Sequence, residues 1–337
     1  MTTSPDLAEV GRAPRTVGQR LHNVLHAHPA LSPAAVLLLA CVVFAVLNPR
    51  FVRPQNISLV AQQAAVVGTL AAGQTVIILT AGIDLSIGAV MVLVAYVMSK
   101  LVFTNGLPSI LALLIGVVLA VALQTLNGVL VARIKLPPFI VTLGTLSIYT
   151  AITLIYAQGQ TITLNPDVFL LWTGTTIDIG QFSITTGVVL MLLVYALVGY
   201  MLRKTAWGRH VYAVGVDLEA SRLAGIRVNR VLLSAYMVAG LVCAMAAWIL
   251  IGRVSGADSN SGINANLESI TAVVIGGTSL FGGRGAVVGS LIGAFIVQVF
   301  DNGLALAGVD ANYQVLAVGI LVIAAVSVDQ WIRRVKS

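Results

Sequence analysis

A handful of residues combine type and spacing in ways that suit chemistry. Between positions 203 and 230, Asp217 precedes Glu219, and Gly225 follows that acid by six positions. An Asp can accept hydrogen bonds from the free N–H groups of a helix start, an acid in the first turn suits the helix dipole, and a Gly can adopt the left-handed conformation that ends a helix. The spacing therefore predicts a short helix with Ala220, Leu223 and Ala224 on one small apolar face. Such a helix can present a knob to a groove in another protein. The simpler reading is a solvated basic loop held near anionic lipid.

The run Gly82-Ile83-Asp84-Leu85-Ser86 interrupts a long apolar stretch and places one acid at a helix start. Asp84 and Ser86 are predicted to cap the following helix, leaving the carboxylate near the water-facing end where it escapes desolvation; substrate contact is the competing reading. Gly283-Arg284-Gly285, followed by Gly289, resembles a nucleotide loop at a glance. With no Lys after Gly289 the spacing fits neither phosphate-binding pattern, so a tight turn with close helix packing is expected. Amides and hydroxyls also recur inside apolar runs: Gln62, Gln63, Gln74, Gln124, Asn127, Thr142, Gln298 and Asn302, with Glu268 and Asp301 nearer the ends. They are candidates to line a path for a neutral polyol, and interhelical hydrogen bonding is the alternative for each.

Catalysis finds no support. The sequence contains no Gly-x-x-x-x-Gly-Lys-Ser/Thr segment, and its four histidines, His22, His26, His28 and His210, form neither a metal-ligand spacing nor a Ser-His-Asp set. Cys41 and Cys243 lie inside apolar runs. No metal, cofactor or ATPase site is expected on this chain.

The elements that must hold these residues are membrane helices. The composition is 58% hydrophobic and 9% charged, against about a quarter charged in a soluble domain. The mean hydropathy is +0.99. Since a helix of roughly twenty apolar residues crosses the hydrocarbon, the expected fold is all-α integral membrane, with about ten spans. They fall near residues 31–47, 57–80, 85–103, 107–131, 139–157, 182–202, 231–251, 267–281, 286–306 and 313–328. The first thirty residues have no signal-peptide pattern and read as a cytoplasmic tail, as do 332–337. With the amino terminus inside, four of the nineteen Lys and Arg (Arg50, Arg53, Lys100 and Arg253) fall outside and fifteen inside. That bias places both termini in the cytoplasm, so the net charge of +7 reports orientation and not nucleic acid. The loop 203–230 is then cytoplasmic and 158–181 external.

On these residues the chain resembles a known family. Glu219-Ala220 with Gly225 looks like the EAA-type loop of ATP-binding cassette importers. The runs Leu79-Thr80-Ala81-Gly82-Ile83-Asp84-Leu85-Ser86-Ile87-Gly88, Leu136-Pro137-Pro138-Phe139-Ile140-Val141-Thr142-Leu143-Gly144, Thr205-Ala206-Trp207-Gly208-Arg209 and Ile275-Gly276-Gly277-Thr278-Ser279-Leu280-Phe281-Gly282-Gly283-Arg284-Gly285 resemble the ribose/xylose/fructose branch of their permeases. The resemblance covers the chain from about residue 50 onward.

It implies a multi-pass permease of a bacterial inner membrane, with an inverted internal repeat and type II importer-like architecture. The implied partners are a second permease copy, a cytoplasmic ATP-binding subunit carrying ATP and Mg, and an external binding protein delivering a sugar. The loop through Asp217, Glu219, Ala220, Leu223 and Gly225 would touch the ATPase. Arg50, Arg53 and Arg253 are candidate points for docking the binding protein, or else lipid-headgroup anchors. A branched-chain amino acid permease of the same architecture and a stand-alone transporter or channel are the alternatives. The latter lacks the mid-membrane acid or His relay that a proton-coupled carrier is expected to have.

Overall fold

A computed structural model describes residues 31–317 except Ile263, together with 319, 320 and 323. The expected tails 1–30 and 332–337 lie outside these residues. The helices in chain order are α1 (Leu31–Leu47), α2 (Pro54–Leu79), α3 (Ile87–Phe103), α4 (Ser109–Ala132), α5 (Pro138–Ala157), α6 (Thr186–Lys204), α7 (Ala206–Val216), α8 (Leu218–Leu223), α9 (Val228–Val254), α10 (Ala265–Ile275) and α11 (Val287–Leu306). Helical structure resumes at 311–317, and most of the expected last span lies outside the described residues. Among the described residues, six helices (α2, α4, α5, α6, α9 and α11) are long and apolar enough to cross a membrane.

Small residues decide which helices form the centre. Gly68, Ala71, Ala72 and Gly73 of α2, and Ala235, Ala239, Gly240 and Ala244 of α9, are all buried. Small side chains let helix backbones approach within a membrane, where lipid is as apolar as the side chains it competes with. Accordingly 89% of the most apolar window of α2 is buried, and 72% of that of α9, against 22% for α4 and 28% for α5. The exposed Leu, Ile and Val of α4 and α5 suit lipid. The buried Ala112, Gly116, Ala120 and Gln124 of α4 recur at helical spacing and mark its inward face.

Three expected elements differ. The segment expected as an eighth span is the eleven-residue α10, which is followed by a glycine turn. At 1.5 Å per residue it covers about 16 Å, so the helix alone is too short for a hydrocarbon layer of about 30 Å, and the described non-helical residues between β4 and α10 make up the rest of the way between the two ends. Residues 182–185, expected to open a span, form strand β3, paired antiparallel with β2 (Thr176–Ile179) around Gly180 at positive φ. Their alternating Thr, Ile and Ser with a glycine turn favour a hairpin over a helix start. Finally, the loop 203–230 holds two helices, because Thr205 caps α7 by accepting from the Gly208 N–H at 3.2 Å.

Connections segregate to two ends of the bundle. At one, β1 (Ile162–Thr163) pairs with β4 (Gly256–Ala257), Asn48 donates to the Leu306 carbonyl, and the Ser183 N–H donates to Ser58 Oγ. At the other, the segments after α2, between α7 and α8, and between α10 and α11 pack together, and the Gly283 N–H donates to the Leu79 carbonyl at 3.0 Å.

Candidate functional site

The second end carries the functional geometry, beginning with α8. The Asp217 carboxylate accepts from the Ala220 N–H at 2.9 Å, the expected cap. At the other terminus Gly225, at φ +82, donates its N–H to Arg222, and the Ile226 N–H donates to Ser221, both at 3.0 Å. This pair of bonds is the Schellman closure that a left-handed Gly permits. Glu219 pairs with Arg222 at 2.7 Å on the exposed surface, a contact worth about 0–1 kcal/mol. Ala220 and Ala224 are exposed, and Leu223 stands 90% exposed at the helix tip. This apolar knob has no partner within the described chain to bury it.

Behind α8 the chain closes on α2. Helix α2 ends in the same Schellman pattern: the Ala81 N–H donates to Ile78 and the Gly82 N–H to Ile77. Here the left-handed position is Ala81, at φ +61, a conformation that disfavours a residue with a β-carbon by about 1–2 kcal/mol. The surroundings hold it there. Gly215, the penultimate residue of α7, lies against the Leu79 carbonyl and the Gly283 N–H so tightly that a β-carbon would not fit. Gly282 and Gly283 both take positive φ, and the turn is closed by the Ser279 N–H donating to the Arg284 carbonyl at 2.9 Å. Tyr212 ties α7 to the turn through the Gly285 carbonyl at 2.9 Å. Gly283, Arg284 and Gly285 thus form the tight turn expected, and Arg284 is exposed.

Asp84 departs from expectation. Its side chain is completely buried, so the idea that the carboxylate stays at the water-facing end fails. One carboxylate oxygen accepts from the Ser86 N–H and Ser86 Oγ, each at 2.7 Å, and the other accepts from Gln124 Nε2 at 2.7 Å. Asn127 donates to Ser86 Oγ at 2.9 Å. Turned with its nitrogen toward the Asp84 carbonyl and its oxygen toward the Asp84 N–H, the Gln74 carboxamide brackets the Asp84 peptide at 3.2 Å each. Thr142 donates to the Ile83 carbonyl at 3.1 Å. A buried acid is tolerated only where its lone pairs are met, and these bonds meet them. Asp84 still organises the start of α3, through the Ser86 N–H.

Four of the eight intramembrane polar positions, Gln74, Gln124, Asn127 and Thr142, therefore converge on the loop at Asp84. The other four lie along α2 and α11. Asn302 and Asn56 exchange carboxamide hydrogen bonds at 2.9 and 3.0 Å, and Gln298 donates to Glu268 at 3.3 Å. Gln62 and Gln63 are half-buried, and Gln63 Oε1 has no hydrogen-bond partner. Arg50 and Arg53 are exposed beside the start of α2. Arg253 is exposed as well, in the last turn of α9.

Sequence reasoning passed over Gly215, Asn56, Asn266 and Tyr236. Asn266 accepts from the Gly88 N–H, joining α10 to α3. Tyr236, on α9, is buried with an unpartnered hydroxyl. Gly215 alone carried a usable signal: a glycine in the last turn of a helix that does not take the left-handed closing conformation points to close backbone approach.

Residues 56–326 match the family described as branched-chain amino acid transport system / permease component. The fructose import permease protein of Rhizobium meliloti is 47% identical, over 99% of this chain and 94% of its own length. The ribose import permease protein of Bacillus subtilis is 37% identical over 89% of this chain and 92% of its own. The D-allose transport system permease protein of Escherichia coli is 31% identical over 89% and 91%. No solved structure matches. The chain belongs to this family of importer permeases, is an integral membrane transport subunit, and falls in the branch that holds the fructose and ribose import permeases.

Proposed function

We propose that the chain forms, with a second copy of itself, the membrane path of an ATP-driven importer for a monosaccharide delivered by an external binding protein. The observation that carries this reading is α8: a capped helix with a closed end and a bare Leu223, at the end of the bundle where the chain also packs against the Asp84 loop. A solvent-facing Leu on a six-residue helix has no role in the isolated fold, whereas a partner's groove gives it one. The partner is the ATP-binding subunit, which brings ATP and Mg. The relatives' names favour sugars over branched-chain amino acids, and fructose and ribose are the first solutes to test. Of the polar positions, the half-buried Gln62 and Gln63 of α2 are the ones left to meet a neutral polyol, since Gln74, Gln124, Asn127 and Thr142 are taken up around the Asp84 loop. The charge bias of the sequence puts α8 in the cytoplasm, with both termini, and the β2–β3 hairpin outside.

The test is reconstitution of the permease with its ATP-binding chain and binding protein in proteoliposomes. Fructose- or ribose-dependent uptake driven by ATP is expected, and Leu223→Asp should abolish it while the permease remains folded. Uptake that proceeds without the ATP-binding chain would make this a stand-alone carrier.

A further inference from the structure

Beneath α8 lies a cavity of about 610 Å³, within the range of small-molecule sites. Its walls come from six segments: the α2 break at Thr80 to Gly82, the α4–α5 turn at Lys135 to Pro138, the end of α7 at Val214 to Val216, α8 with its Asp217 cap, the first turns of α9 from Val228 to Tyr236, and Phe281 of the α10–α11 turn. Its charged groups cancel, Lys135 and Arg222 against Asp217 and Glu219. Apolar side chains such as Leu136, Leu218 and Leu232 make up much of the remaining wall. Such a lining favours a ligand that is neutral, carries hydroxyls and has an apolar face, the description of a sugar ring.

Two features tie the cavity to transport. Asp217, Leu218, Glu219 and Arg222 line it from the helix whose tip carries Leu223, so an occupant touches α8 beside its tip. Thr80, Ala81 and Gly82 of its wall run directly into Ile83, whose carbonyl accepts from Thr142, and into Asp84, which places the cavity next to the buried cluster of path candidates, with Tyr236 on the α9 wall. The buried Tyr236 hydroxyl lacks a partner.

We infer that this cavity is a cytosol-facing binding site for the transported sugar, through which accumulated product restrains the importer. The inference rests on the proposed function for the identity of the sugar and for the side that α8 faces. An occupant contacts α8 and the α2 break together, fixes their spacing, and opposes the movement that ATP hydrolysis must impose on them.

The experiment has two arms. In the purified full-length permease without its partners, a cysteine replaces the exposed Asn229, which lines the cavity. A second variant carries a cysteine at exposed Asn260, at the opposite end of the bundle. D-ribose or D-fructose at millimolar concentration should slow alkylation of the Asn229→Cys protein by N-ethylmaleimide at least threefold and leave Asn260→Cys unchanged. In proteoliposomes holding the binding protein and sugar inside, the same sugar added on the ATP side should lower ATP hydrolysis by at least half.

Equal alkylation of Asn229→Cys with and without either sugar would overturn the site, as would protection by the ATP-binding chain alone, which would make the cavity a docking surface. Hydrolysis indifferent to added sugar would overturn the restraint. Protection in the isolated permease is measured without uptake, so a failure of ATP-driven uptake with protection intact counts against the proposed function and not against the site.

Discussion

Gly215 and Leu79 meet backbone to backbone: the α7 glycine lies flush against the carbonyl that ends α2, with no space for a β-carbon between them. The junction ties the end of α7 to the α2 break, because no flexible side chain intervenes to absorb displacement, while α8 is joined to it only through the extended Asp217.

Gly215 and Gly225 are therefore glycines for different reasons, and substitution should separate them. Gly215→Ala forces the α2 break and the 282–283 turn apart, destabilising the permease by about 1–3 kcal/mol. Thermal unfolding in detergent should show the loss. At Gly225 there is open space but φ is +82. Gly225→Asn, which tolerates that conformation, should keep solute-stimulated ATP hydrolysis, whereas Gly225→Val should lose about 1–2 kcal/mol locally and uncouple it. Equal tolerance of Ala at 215 and Val at 225 would refute both assignments.

The polarity of the Asp84–Gln124 contact makes a second prediction. Asp84→Asn turns an NH2 group toward the Gln124 NH2 or the Ser86 donors, costing about 2–3 kcal/mol. Gln124→Glu alone opposes two carboxylates and should be at least as damaging. The pair Asp84→Asn with Gln124→Glu restores donor to acceptor, so a double-mutant cycle on thermal stability should give a favourable coupling energy of about 1–3 kcal/mol. Additive losses would mean that the two side chains do not pair.

Sidedness can be tested by cysteine labelling. Thr175 is exposed beside the β2–β3 hairpin and Val216 is 72% exposed beside α8, whereas the neighbouring Val214 is buried and useless as a probe. An impermeant thiol reagent on intact spheroplasts should modify Thr175→Cys and spare Val216→Cys until the membrane is opened. The opposite pattern would invert the topology.

The arginines proposed to dock the binding protein should differ in effect. Arg50 and Arg53 are both exposed beside the start of α2, so reversing them changes two charges together, whereas Arg253, exposed in the last turn of α9, contributes one. Reversing Arg50 and Arg53 to Glu should slow association of the binding protein about three- to tenfold at low salt, with the difference fading near 0.5 M salt as rim charges are screened. Arg253→Gln should change the rate less. Rates unchanged by the double reversal would leave Arg50 and Arg53 as lipid anchors.

The local motifs of this protein were legible in its sequence because their bonds run between near neighbours. Asp217 capping Ala220 and Gly225 closing α8 span three residues each way, and dihedral preference alone selects them. The long apolar runs likewise announced most membrane helices, since every backbone polar group in lipid must be satisfied within its own helix. Hydropathy could not separate the eleven-residue α10 from a span, because a short helix sheltered by α2 and α11 is as apolar as one that crosses. The burial of Asp84 was beyond sequence reading. Its partner Gln124 lies about forty positions away, and only the packing of α4 against α3 and α9 brings that amide to the carboxylate and the Asn127 amide to Ser86 beside it. The cavity behind α8 has the same origin, for its walls come from segments whose spacing is decided by how helices pack and not by any one segment's preference.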